Sequence, residues 1–237
     1  GPAGAGKSTV ARAAAKELGY IYVDTGALYR AVGLNALNHG IGTSDREKVT
    51  ASLEGLSVDI EFRDGEQLVI LNGEDVSGKI RTPEVSMAAS DVSAIPQVRD
   101  FLFDLQRKIA SEKSCLMDGR DIGTVVLPHA QVKIFLTAKP EIRAKRRYDE
   151  LIAKGSEVSF DDVLADLITR DYNDSHREVA PLKPAPDGVI VDTSDLTLEQ
   201  AIEKTDEETE KGIPQRLAEL LGRGSTCDPD RGEPESV

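Results

Sequence analysis

The sequence has no tryptophan and two cysteines, Cys115 and Cys227. Two thiols make no disulfide framework, so a reducing, cytoplasmic compartment is expected. Long apolar runs are missing too. None approaches the ~20 residues that a membrane-spanning helix needs. Basic residues are outnumbered 29 to 42, for a formal net charge of -13. That balance argues against a general affinity for nucleic acid or anionic membrane, which needs a basic surface. The acid excess is uneven. From Glu203 onward there are ten acidic and five basic residues. The remainder is milder, and its arginines fall in clusters. Hydrophobic residues, 39% of 237 positions, suffice for one sizeable domain. There is no internal repeat.

The text alternates between strands and helices. Lys7 to Leu18 is alanine-rich and stops at Gly19, as a helix does. YIYV (20–23) is β-branched and aromatic, so a strand. A helix follows from about Ala27 to Asn38. Ser44-Asp45-Arg46-Glu47 matches a capping box ahead of another. LSVDIEF and QLVILNG then alternate around Arg63-Asp64-Gly65-Glu66, which predicts an antiparallel hairpin. This is a small β insert in an otherwise α/β chain. Helical text resumes near Pro83 and over PQVRDFLFDLQRKIASE. CLMD (115–118) and VKIFLTA (132–138) are short apolar runs of the buried parallel kind. PEIRAKRRYDELIAKG is a helix from Pro140 to Gly155, and Ser159 caps another. VIVDT (189–193) is the last strand and TLEQAIEK opens the last helix. From about Gly212 the period fades, and residues 212–237 are expected to be a disordered tail or linker.

The richest motif comes first. Gly1-Pro2-Ala3-Gly4-Ala5-Gly6-Lys7-Ser8-Thr9 fits the G-x-x-x-x-G-K-[ST] pattern. Its glycines let backbone amides close around phosphate oxygens, and the following helix turns its positive end to the anion. Lys7 adds a point charge, and Ser8 a hydroxyl suited to Mg²⁺. A guanine-reading Asn-Lys-x-Asp is absent, and Asp118-Gly119-Arg120-Asp121 lacks the D-x-x-G spacing of a GTPase.

Several segments that end strands or lie in loops carry paired charges or polar side chains: D24-T-G-A-L-Y-R30, V-S-M-A-A-S90, P-Q-V-R99, D118-G-R-D121, K145-R-R147 and R170-D-Y-N-D174-S-H-R177. In a doubly wound sheet, ligands bind at the carboxyl ends of the strands. Asp24 and Asp118 are therefore expected near the nucleotide, with Arg30 pointing back to the same mouth. An enzyme that joins two polyanions needs many cations. Some clusters have plainer readings. KRR alone is a solvated helix face, and Arg170 with Asp174 alone is an i,i+4 pair. His176 reads as surface and Cys115 as a packed strand residue.

Taken together, GPAGAGKST, DTGALYRA, the β insert, AASDVSAIPQVR, DGRDIGTVVLPHA, AKRRYDEL and RDYNDSHREVAPL resemble the bacterial cytidylate (CMP/dCMP) kinases. The resemblance covers nearly all of 1–210. DGRDIGTVV together with the β insert separates it from adenylate and shikimate kinases. It implies a P-loop kinase domain over 1–211, with a parallel sheet core. The insert, about 55–90, would lie on the monophosphate side, and a short helical lid would fall within about 140–177. The implied reaction moves a phosphoryl group from ATP, with Mg²⁺, to CMP or dCMP, in a cytoplasmic monomer. Gly1 to Thr9 resembles the ATP loop. Thr25, Arg30 and Arg120 match monophosphate positions. Ser90, Arg99 and Asp121 match positions that read the cytosine edge. Arg170, Asp174 and Arg177 match positions around sugar and phosphate, and Arg146 and Arg147 the lid arginines. The implied catalytic set is Lys7, Asp118, Arg120, Arg146 and Arg147. Cytosine's amino donor suits a carboxylate, and its acceptors suit Arg and Ser.

Two residues depart from the family pattern: Thr25 stands where a serine is common, and Asn173 where many members carry arginine. The competing readings are a kinase for another small acceptor and a nucleotide-binding module without catalysis. A P-loop ordinarily follows a strand, and none is written before Gly1. The expectation is a chain lacking that first strand, which folds and binds ATP better once a short Ile/Val-rich segment precedes Gly1.

Overall fold

The computed structural model describes residues 1–63 and 65–222. Helix α1 (Lys7–Leu18) opens from Gly6 and closes on Gly19, whose φ of 67° is open to glycine but strained for other residues. Strand β1 (Ile21–Asp24) runs straight into α2 (Thr25–Asn38), where the Asp24 carboxylate accepts from the Ala27 amide as the cap. That cap starts α2 two residues earlier than the sequence pattern suggests. α2 is buried on nearly all sides, because strands, insert and a further helix all pack on it. α3 (Arg46–Ala51) is capped by Asp45 rather than Ser44.

The insert is as expected: β2 (Val58–Arg63), β3 (Glu66–Leu71) and β4 (Glu74–Asp75) form an antiparallel sheet with Arg63 opposite Glu66. Val69, Leu71, Val76 and Ile80 carry it onto Ala27, Ala31 and Leu34 of α2. α4 (Pro83–Ser93) starts from the Thr82 cap and crosses α2 at Gly33. A Cβ at Gly33 would come 3.0 Å from that of Ala88, so a side chain there would push α4 back from this close approach. α5 (Pro96–Glu112) delivers Val98 and Leu102 to the core that also holds Val23, Leu28 and Val32.

β5 (Cys115–Asp118) is followed by a π-helical turn over Ile122–Val126. The Asp121 carbonyl accepts from the amides of Thr124, Val125 and Val126 there, and Leu127 donates to Ile122 at 2.7 Å. Hydrophobic periodicity has no signature for so wide a turn. β6 (Ile134–Thr137), α6 (Pro140–Ala153), α7 (Phe160–His176) and β7 (Val189–Asp192) complete the alternation. α8 (Leu198–Gly222) continues past Gly212, where the tail was expected to begin. Residues 223–237 of that tail lie outside the described residues.

The parallel strands form two pairs. β1 lies beside β5 with Asp24 opposite Asp118, and β6 beside β7 with Thr137 opposite Asp192. β5 and β6 face each other across an apolar slot of about 240 Å³, lined by Leu116, Met117, Phe135 and Leu136 and by Val10 and Ala11 of α1. The carboxyl ends of β1 and β5, and Thr193 just after β7, open onto one cleft of about 1250 Å³.

Candidate active site

That cleft is where the sequence motifs meet. It is bordered by the loop from Ala3 to Thr9, by Asp24, Thr25 and Arg30, by Ser90 and Arg99, and by Asp118, Arg120 and Asp121. Arg146 and Arg147 reach it from α6, and Arg170, Asp174 and Arg177 from α7 and its end. Nine arginines line it in a chain of net charge -13. Gly1 and Pro2 differ from the rest of the loop. Gly1 borders the apolar slot, and Pro2 is buried with its carbonyl accepting from Lys7 Nζ at 2.7 Å.

Gly4 and Gly6 take φ of 71° and 86°, which turns successive amides toward the cleft. Lys7 is held inside this loop. Burial, then the nearby Arg120 guanidinium, lowers its pKa to about 8. Ser8 Oγ donates to Asp118 Oδ2 at 2.7 Å, and Tyr22 donates to the same oxygen at 3.2 Å. Asp118 Oδ1 is buried with no hydrogen-bond partner. A hydroxyl beside a half-satisfied carboxylate is a donor set of hard oxygens, which suits Mg²⁺. Among the described residues, no group of three or more His, Cys, Asp or Glu could hold a metal by itself. The oxygens of a bound polyphosphate would complete such a site.

On the opposite wall, Asp24 pairs with Arg30 at 2.6 Å and is clasped by Gln67 of β3. Gln67 Oε1 accepts from the Asp24 amide at 2.7 Å, and Nε2 donates to its carbonyl at 3.2 Å. Sequence reading passed over Gln67, since one amide in an alternating strand carries no signal. Thr25 donates to the Asp118 carbonyl at 2.8 Å, so its hydroxyl also ties β1 to β5. The Asp121 carboxylate is bound by Arg99 and lies 3.5 Å from Arg177 Nη2, all three side chains being buried. Arg99 also donates to the Ser93 carbonyl at 3.2 Å and lies over the Tyr29 ring. Ser90 sits on the cleft wall one turn before Ser93.

Asp174 accepts from Arg120 Nε at 2.8 Å. Its partner is therefore a long-range arginine, where helix spacing had offered Arg170 as an alternative. Burial opposes charge on Arg120, but the carboxylates of Asp174, Asp118 and Asp171, Asp174 foremost, together raise its pKa. Arg170 moves the other way, lowered by burial and then by Arg120. The Nε atoms of Arg30 and Arg170 are buried without a hydrogen-bond partner. Desolvated, unsatisfied guanidinium groups are what an anionic ligand would complete. The two arginines of KRR divide. Arg146 donates twice to Thr193, at 3.0 and 2.8 Å, and sits close to Gly6. Arg147 pairs with Glu150 at the solvent edge. Arg143, on the same helix, is almost wholly buried and was not singled out by the sequence. His176 stacks on Tyr172 at the surface, and burial raises the pKa of the Cys115 thiol, as their plainer readings held.

Residues 1–211 match the model of the cytidylate kinase family. A cytidylate kinase of Caldicellulosiruptor saccharolyticus is 52% identical over 204 residues, covering 86% of this chain and 90% of its own. That of Carboxydothermus hydrogenoformans is 49% identical over 223 residues, 94% and 95% of the two chains. The cytidylate kinase of Streptococcus pneumoniae is 47% identical over 212 residues, 89% and 95%.

Proposed function

This chain belongs to the cytidylate kinase family and transfers a phosphoryl group from ATP to CMP or dCMP; on that premise we propose how its residues divide the work. One observation carries the division. A phosphate loop with a buried lysine and a wall of arginines, among them Arg30 and Arg170 with buried nitrogens lacking a partner, face the same cleft.

The donor side is the loop from Gly1 to Thr9. Its amides and Lys7 hold the polyphosphate, and Lys7 keeps a positive charge beside the phosphoryl group that moves. Ser8 and Asp118 would hold Mg²⁺, which supplies charge neutralisation when bound. Arg146, fixed on Thr193, stands at the mouth of the loop, and Arg147 is carried beside it on the lid. The lid is α6 with α7.

The acceptor side is built from the β2–β4 insert, α4 and the DGRD turn. Thr25, Arg30 and Arg120 hold the monophosphate, and Arg170 bridges toward the sugar with Asp174 and Arg177. Asp121, Arg99 and Ser90 read the base edge. Asp121 is held in position by two arginines, so its carboxylate can accept from an exocyclic amino group without reorganising. The acceptor phosphate oxygen attacks in line and no enzyme-bound phosphoryl is required. The protein's contribution is orientation and preplaced positive charge. No helix of the described residues is long and apolar enough to cross a membrane. We read the enzyme as a cytoplasmic monomer.

The test is a panel of nucleoside monophosphates with ATP and Mg²⁺. CMP and dCMP should be turned over well ahead of UMP and AMP. Lys7→Ala should lower turnover by about 10² or more, the scale of losing a preorganised charge. Near-normal turnover in that variant would remove Lys7 from the chemistry.

A further inference from the structure

Arg143 lies on α6 one turn before Arg146, yet its guanidinium turns inward. Nη1 donates to the carbonyl of Ala3 in the phosphate loop at 3.0 Å. Nη2 meets Asp171 of α7 at 2.6 Å, and Nε donates to the Ala138 carbonyl at 2.7 Å, next to the end of β6. One planar group thus joins the donor loop, a strand end and the helix that carries Arg170 and Asp174 and ends just before Arg177. The loop is also pressed onto the same residue. A Cβ at Gly4 would come 3.1 Å from the Cβ of Arg143 and 3.2 Å from its carbonyl oxygen.

α7 is therefore held at two points one turn apart. Asp171 is tied through Arg143 to the phosphate loop, and Asp174 is tied to Arg120 of the DGRD turn. Two ion pairs on neighbouring turns fix both the rotation of a helix and its position along its axis. Slippage of α7 by a fraction of a turn would carry Arg170 and Arg177 out of their places on the cleft wall. The rigid five-donor fork is what allows one side chain to serve three acceptors; a lysine ammonium has no such fixed geometry.

Resting on the division of labour above, we propose that Arg143 is a positioning residue that, through Asp171, keeps the phosphate loop in register with the acceptor-side helix. It touches neither substrate. Its effect is felt in the alignment of donor and acceptor, which governs turnover more than binding of either alone.

The experiment uses the full chain and four variants: Asp171→Asn, Arg143→Lys, the two combined, and Ala144→Gly. The last loosens the same α6–α7 seam at a buried alanine without touching the ion pair. Melting temperature, kcat and the KM of each substrate are measured with CMP and ATP. Asp171 keeps partial solvent contact, so the isosteric Asn variant should fold. Assayed well below its melting temperature, which falls because the buried Arg143 guanidinium loses its counter-charge, it should lose about tenfold in kcat, with both KM values within about twofold. The double variant should lose no more than Arg143→Lys alone, as expected of residues acting as one unit. Ala144→Gly should melt lower and keep its kcat at 25 °C. Unchanged kcat in Asp171→Asn, additive losses in the double variant, or a kcat loss in Ala144→Gly that tracks its melting temperature as in Asp171→Asn would each overturn the proposal. Failure of the wild-type chain to phosphorylate CMP would instead strike the functional reading on which it rests.

Discussion

Lys7 shows how a single residue can be read in two ways. The motif marks it as a phosphate ligand, and burial shows the state in which it waits. Its pKa is lowered to about 8, against 10.5 for a free lysine. The sign follows from the charge. The polyphosphate binds the ammonium better than the neutral amine, so binding raises the pKa and takes up a proton. ATP affinity should therefore fall as pH rises through about 8, by at most about tenfold per pH unit for one linked proton. Lys7→Met should flatten the profile. Isothermal titration at several pH values checks it, and a flat profile in the unaltered chain would refute it. Asp121 makes a separate prediction. Its buried carboxylate faces Arg99 and Arg177, and an amide in its place can donate to the carbonyl of uracil. Asp121→Asn should narrow the CMP-over-UMP ratio of kcat/KM by about 5- to 150-fold, the equivalent of ~1–3 kcal/mol. The variant will also melt lower, since two buried guanidinium groups lose charge balance. The ratio is the decisive quantity.

At the scale of elements, the helices that follow strands were the easiest to read. Pro83, Pro96 and Pro140 each stand at the start of a helix, where proline's fixed φ and missing donor are harmless. The docking of α8 was not readable. Asp206 of α8 lies against Glu17 of α1, with Glu210 one turn on, and its pKa is raised to about 6 by burial first and then by Glu17. A carboxyl whose folded pKa lies above its unfolded value adds stability at low pH and loses it as pH rises through about 6. Asp206→Asn should thus raise the melting temperature at pH 7 to 8 and bring no gain near pH 4. The group is only partly buried, so a shift of a few degrees at most is expected. Thermal melts across that range decide it, and equal effects at both ends would mean the acidic contact is not the cause.

For the molecule as a whole, the slot between β5 and β6 matters most. Neither facing edge has a strand partner among the described residues, and the walls are apolar. Open edges leave amides and carbonyls unpaired, and their pairing would fuse the two strand pairs into one sheet. Gly1 sits at one end of this slot, where a Cβ would run into the Leu136 carbonyl. An extension of five or six Ile- and Val-rich residues ahead of Gly1 should enter the slot, raise the melting temperature and tighten ATP binding. Each large apolar side chain fully buried there would add about 1.5–3 kcal/mol. Melting and ATP titration of the two chains side by side are the check, and no gain from the extension would show that the slot does not accept a strand.

The sequence by itself determined the local chemistry: the phosphate loop, the proline and glycine punctuation, the hairpin insert and the charged ends of strands. These are short-range effects, set by backbone sterics and by neighbours in the chain. It also brought Asp24 and Asp118 together, because parallel strands present their carboxyl ends on one side, and the two lie opposite each other in the sheet. It did not reveal Gln67, the inward turn of Arg143 or the choice of Arg120 over Arg170 as partner for Asp174. Each of those is a contact between residues more than forty positions apart. Such pairings depend on which groups packing brings together and deprives of water, and that was decided only when the helices closed over the strands.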